Sequence, residues 1–242
     1  MKRSQLGLIT KNVFTGILPN RCVLCGLQSD LGYCRQCYLL LPRIVHKCHQ
    51  CGRSLPKSSP NPHQCGLCLN QPPPYQSSFI PFFYSPPISN AIQNLKFHKD
   101  IAVGTALAEA FIEALDSPWS NVSEFPEVLT PVPLHKKRLK ERGFNQSLYL
   151  AEKIGSKLGI PVNPDILLRI KNTEPQSNLP ERQRNKNMRG AFEVTKPILK
   201  YEHVALIDDV VTSGNTVRAA AKLLKFSSVQ TISVWAIAKT KF

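Results

Sequence analysis

Beyond Cys68 the sequence has no cysteine, over 174 residues, so the work of all eight cysteines is confined to the first part of the chain. A disulfide framework for the larger part is thereby excluded. Long apolar runs are missing as well: none approaches the roughly 18 residues a membrane helix needs, so no spanning helix is expected. Acids are scarce at the start. Residues 1–75 hold nine Lys or Arg against a single acid, Asp30, a local charge of +8 within a total of +15. Such an imbalance excludes a neutral surface and invites a polyanion partner. After the basic opening, Leu6, Ile9, Val13, Ile17 and Leu18 could suggest a signal peptide. Lys11 and Asn12 interrupt the series and no small-residue cleavage site follows, so a short amphipathic helix over residues 1–20 and a cytoplasmic protein are expected.

All eight cysteines stand in C-x-x-C pairs: Cys22 and Cys25, Cys34 and Cys37, Cys48 and Cys51, Cys65 and Cys68. A redox C-x-x-C occurs once in a chain, not four times, whereas four thiolates make a closed tetrahedral zinc site. Two structural zinc ions are expected within a module at 21–70, folded by metal because it has little apolar core. Taking the pairs in order joins Cys22, Cys25, Cys34 and Cys37 around one ion and Cys48, Cys51, Cys65 and Cys68 around the other; cross-bracing of alternate pairs is the other arrangement. His46, His49 and His63 lie nearby and read as surface residues. Each four-thiolate site carries a net −2, so two would bring the chain from +15 to about +11.

Asn70-Gln71-Pro72-Pro73-Pro74-Tyr75 marks a stiff boundary, and an α/β domain is expected over 76–242. Its signals are a buried strand over Phe79 to Tyr84, a helix opening at Ser85-Pro86 with Ile88, Ile92 and Leu95 on its apolar face, a helix about Ala102 to Leu115, and a strand at Val128 to Thr130. Then comes the basic run Lys136 to Gln146, read as a loop between that strand and a helix over Ser147 to Leu158. Loops in this place hold ligands in α/β folds, and pyrophosphate needs cationic, multi-donor partners, so His135, Arg138 and Arg142 are assigned to a pyrophosphate loop. Residues 171–192 are polar, charged and low in apolar content and read as a long loop, either a lid closing over the site or a segment whose Arg182, Arg184, Lys186 and Arg189 meet nucleic-acid phosphates. A last strand about Thr231 to Ala238 closes the sheet.

Residues 203–224, HVALIDDVVTSGNTVRAAAKLL, are the stretch the rest must serve. Val204 to Ile207 is a short buried strand with Asp208 and Asp209 at its carboxyl end. Thr212, Ser213, Gly214, Asn215 and Thr216 form a hydroxyl-rich turn, and Val217, Ala220, Ala221 and Leu224 recur at helical spacing. Backbone N–H groups and the positive end of a helix favour a phosphate, and the glycine permits close approach. Carboxylates accept hydrogen bonds but cannot donate, which suits the vicinal hydroxyls of a ribose whose 5-phosphate sits in the turn.

This segment resembles the 5-phosphoribosyl-1-pyrophosphate (PRPP) motif of type I phosphoribosyltransferases. With the C-x-x-C module, Leu95-Lys96-Phe97, Pro131-Val132-Pro133-Leu134-His135, Arg142-Gly143-Phe144-Asn145-Gln146, and Gln176, Leu179, Arg184, Asn187, Gly190 and Phe192, the chain resembles the competence protein F family over nearly its full length. The resemblance implies a type I phosphoribosyltransferase-like parallel sheet flanked by helices, fused to a small N-terminal zinc-finger module. It also implies a cytoplasmic role in natural transformation: handling internalised single-stranded DNA, binding PRPP with magnesium, and meeting a competence helicase or the inner-membrane uptake channel. Two other readings share the same site. One is an active transferase passing the phosphoribosyl group to a nucleobase; the other is a regulator sensing PRPP or a nucleotide. No segment reads as the separate hood that binds the base in such transferases, unless the zinc module supplies it.

Overall fold

The protein is described by a computed structural model over residues 21–59, 61–172, 190–195 and 201–241. The expected helix at 1–20 and the loop residues Arg182, Arg184, Lys186 and Arg189 lie outside the described residues. The central sheet is parallel, in the order β1-β7-β6-β3, from β1 (Ser77–Phe79), β7 (Thr231–Lys239), β6 (His203–Val211) and β3 (Val128–Pro131). A two-residue strand, β2 (Phe82–Phe83), continues the β1 side and also pairs with β7. The expected strand over Phe79 to Tyr84 is thus two short pieces, because Pro81 between them has no N–H to give a ladder.

Parallel strands are buried on both faces, and successive side chains alternate between them. In β6, Ala205 and Ile207 join one apolar cluster while Val204 and Leu206 join the other. The first cluster is formed under α3 (Ile88–His98), α4 (Ile101–Leu115) and α6 (Gln146–Leu158). Phe111 of α4 meets Phe79 edge-on at 5.1 Å and Trp235 at 5.7 Å, between ring centres. The second cluster lies under α7 (Asn215–Phe226) and a small antiparallel pair, β4 (Leu167–Arg169) with β5 (Phe192–Val194). The ends of the expected 171–192 loop are tied there, where the Ile170 N–H donates to the Ala191 carbonyl at 2.9 Å.

Helix α3 begins at Ile88, later than the Ser85-Pro86 opening suggested. The residue before a proline is disfavoured in helix, and Pro86 is followed by Pro87. The basic run at 136 is not a loop. It is α5 (Lys136–Arg142), capped by the His135 imidazole, whose Nδ1 accepts from the Lys137 N–H at 3.3 Å, and ended by Gly143 at φ 80°. Glycine suits that end because its left-handed backbone conformation strains any residue with a Cβ.

The cysteine segment, with the short helices Arg35–Leu39 (α1) and Gly66–Asn70 (α2), packs along the outer side of β1 and β2. Its backbone completes their hydrogen bonding: Ser78 N–H donates to the His49 carbonyl at 2.7 Å, Ile44 N–H to that of Pro81 at 2.8 Å, and Phe83 N–H to that of Pro42 at 2.7 Å. Cys22, Tyr33, Tyr38 and Leu41 belong to the first core cluster. Tyr33 donates its hydroxyl to Glu113 of α4 at 2.7 Å, and Arg35 pairs with the same carboxylate. At the other border the Leu129 N–H of β3 donates to the Pro161 carbonyl at 2.9 Å.

Candidate functional site

Helix α6, which follows β3, covers one face of the sheet, while α7, which follows β6, covers the other. Loops leaving two neighbouring parallel strands toward opposite faces open a crevice at the strands' carboxyl ends. A cavity of about 780 Å³ occupies that place. Its walls include Arg138, Arg142, Asp208, Asp209, Thr212 and Thr216 from the residues expected at the site, together with Lys96, Gln146, Ser147 and Arg169.

The strand expected over Val204 to Ile207 runs on to Val211 because its pairing with β7 continues, so Asp208 and Asp209 lie within β6 and not at its carboxyl end. Asp209 is buried there and ion-pairs with Lys96 at the end of α3. Gln146 Nε2 donates to its other oxygen at 3.3 Å, and the amide oxygen of Gln146 accepts from Arg142 Nη1 at 2.6 Å. A continuous line of contacts therefore runs from Arg142 through Gln146 and Asp209 to Lys96. Asp208 accepts from the Ser147 hydroxyl at 3.1 Å and from the Asp209 N–H at 2.9 Å. Asn145 sets this up by capping α6 at the Ser147 N–H, 3.0 Å, and donating to the Val132 carbonyl at 3.1 Å.

The two carboxyls are driven apart in acidity. Burial, then the Asp209 charge beside it, pushes Asp208 up to about 7. Burial works against ionisation of Asp209 too, but the Lys96 ammonium outweighs it and holds this carboxyl below its ordinary value. Across the cavity, burial and then a neighbouring guanidinium lower Arg138 and Arg169, the latter to about 10, through Arg142 and Arg138 respectively. Cations that crowd one another in this way form a place where an anion is favoured.

The turn after β6 brings Gly214 to φ 81° as the cap of α7. Ser213 keeps its hydroxyl buried without a hydrogen-bond partner among the described residues. Asn215 lines a separate groove of about 460 Å³ with Arg218 and Phe192, and His135 serves as the cap of α5. Lys96 and Gln146 stand in segments the sequence singles out by resemblance, with no role legible there. A lysine in a last helical turn reads as a favourable end charge, and only the fold shows that this one reaches Asp209. Arg169, closing a three-residue strand, gives no signal in sequence.

The cysteines form two clusters in the sequential grouping, Cys22, Cys25, Cys34 and Cys37, and Cys48, Cys51, Cys65 and Cys68, each with its sulfurs within 4.8 Å of one another. Cys25 and Cys34 Sγ are 3.7 Å apart, and so are Cys51 and Cys65 Sγ. A regular tetrahedron with zinc–sulfur bonds of about 2.3 Å has edges of about 3.8 Å, so both clusters can hold zinc. One thiol in each is poised to ionise first. The hydrogen bond from Cys51 draws Cys48 down to about 4 against burial; at Cys22, burial is overcome by the N–H groups of Cys34, Leu24 and Cys25, and the thiol falls to about 6.

The class these features define is an α/β protein with a parallel sheet flanked by helices and two four-cysteine clusters able to hold metal. No protein-family model matches the chain. The DNA utilization protein YhgH of Salmonella typhimurium is 34% identical over 224 residues, covering 92% of this chain and 98% of that one. Competence protein F of Haemophilus influenzae is 34% identical over 175 residues, 71% of this chain and 76% of its own. Competence protein ComFC of Bacillus subtilis is 31% identical over 146 residues, 59% of this chain and 55% of its own. The chain belongs to the competence protein F family. Among solved structures, an adenine phosphoribosyltransferase of Trypanosoma brucei in complex with AMP, pyrophosphate and ribose-5-phosphate is a distant likeness, with TM-score 0.35 and 10% identity over 60% of this chain and 67% of that one. No helix among the described residues is long and apolar enough to cross a membrane.

Proposed function

We propose that this protein acts in the use of DNA taken up by the cell, as a competence factor that holds single-stranded DNA on basic surface and binds PRPP in the cavity at the end of β6. The observation that carries the reading is the placement of Asp208, Asp209, Thr212 and Thr216 opposite Arg138, Arg142 and Arg169 in one cavity. In this reading the acid pair accepts the ribose hydroxyls, the hydroxyl turn and the start of α7 take the 5-phosphate, and the guanidiniums take the pyrophosphate. The carboxylates are hard oxygen donors of the kind magnesium accepts alongside substrate phosphates, so the donor set fits a magnesium–PRPP complex. Ribose binding would require Asp209 to loosen from Lys96.

The DNA part rests on the charge and on the relatives, named as competence and DNA utilization proteins. The protein would work in the cytoplasm, recruited to the inner face of the membrane by the uptake machinery, with the competence helicase or the uptake channel as its partner there. The test has two parts. Calorimetry with magnesium PRPP should give binding to the wild type and its loss in D208N/D209N, with zinc content intact; equal affinity in the double variant would remove the pocket assignment. Anisotropy of a labelled single-stranded oligonucleotide should give affinity that falls with salt, with a log–log slope of about −0.7 per phosphate contacted. Absence of binding at low salt would reject the DNA role.

A further inference from the structure

On α3, Ala91, Ile92 and Leu95 supply the buried face, and the next-but-one residue, Phe97, is not needed by the core: it is 71% exposed. Isolated exposed apolar residues are ordinary. This ring, however, forms part of the wall of a cavity otherwise rich in charge. The Arg142 guanidinium carbon stands 6.0 Å from the ring centre, close enough to be attracted and too far to cover it. Arg142 is also the start of the contact line through Gln146 to Asp209, so ring and acid pair share one connected wall. Gln93 precedes Phe97 by four residues, which puts its amide on the same helical face, and its Nε2 donates to the Tyr84 hydroxyl at 3.4 Å. Gln93 and Tyr84 both line the cavity.

A planar, apolar face beside an amide and a hydroxyl is the combination that holds a nucleobase: the base stacks on the face, and the polar groups meet its edge. We infer that Phe97 is the platform of a nucleobase site at this cavity, with Gln93 and Tyr84 at the base edge. The ligand class is a nucleoside 5′-monophosphate, its ribose on Asp208 and Asp209 and its phosphate on the turn at 212–216. The inference rests on the sugar-phosphate reading above and supplies the base site for which the sequence offers no hood. A cavity of about 780 Å³ falls within the roughly 300–1,000 Å³ of sites that enclose ligands of this size.

The test compares adenosine 5′-monophosphate with ribose 5-phosphate, which lacks the base, by calorimetry on the zinc-loaded full chain in magnesium. The wild type should bind the nucleotide more tightly. F97A should weaken the nucleotide by about 5- to 150-fold, the range of one base–aromatic stack, and leave ribose 5-phosphate unmoved. F97W should restore nucleotide binding and report it by quenching. The platform is overturned if F97A leaves the nucleotide unaffected, if it weakens both ligands alike while F97W fails to recover them, or if the wild type binds the two equally. D208N/D209N separates the underlying reading: it should abolish both ligands. Wild-type protein that binds neither would sink the sugar-phosphate reading and the platform together.

Discussion

Lys96 and Asp209 form a pair in which both side chains are largely withdrawn from water, at 21% and 4% exposure. Removing one partner leaves a buried charge uncompensated, so Lys96→Met should cost about 3–5 kcal/mol in urea melts, and K96M/D209N should regain most of it. A single variant as stable as wild type would show that the pair adds nothing to the fold. The neighbouring carboxyl acts in the opposite sense with pH. Asp208, raised to about 7, contributes stability that is fully present below its unfolded value near 4 and is lost as pH rises through 7. Asp209, lowered, contributes stability above that unfolded value, lost as pH falls through its folded one. Asp208→Asn keeps an oxygen for the Ser147 hydroxyl and the Asp209 N–H while discarding the charge. It should therefore melt higher than wild type at pH 8, with the advantage shrinking toward pH 5; an advantage independent of pH would remove the carboxyl as its cause.

Helix ends carry much of what positions the cavity. Asp100 caps α4 by accepting from the Val103 N–H at 3.1 Å, and Asp100→Ala should lower stability by about 1 kcal/mol in thermal melts without altering ligand binding. An unchanged melt would mean that water replaces the cap. At this scale the sequence is legible where pattern and punctuation agree: the turn and α7 follow from Gly214 and helical spacing, and the buried run marks where β6 starts but not where it ends, because pairing with β7 carries the strand through both acids to Val211. The run at 136–142 misleads because Leu139 is its one apolar residue, so periodicity gives no helical signal; the His135 cap and Gly143 define that helix instead. Lys96 and Gln146 are visible as letters, but their meeting at Asp209 is made by packing between distant segments, which no local pattern encodes.

For the whole molecule, the cysteine segment and the sheet share one core. Metal analysis should find about two zinc ions per chain, and a strong chelator should release them with a fall in melting temperature. Because the same segment satisfies the outer N–H groups of β1 and β2, its loss should also bare a strand edge, and light scattering should detect self-association. A chelated protein that stays monomeric and melts unchanged would show that metal is not what holds the segment in place. The same hydrogen bonds bear on ancestry. A gene for residues 76–242 by itself would encode a sheet with one side unfinished, so the two parts are poor candidates for separate exchange between proteins and are expected to be inherited as one piece.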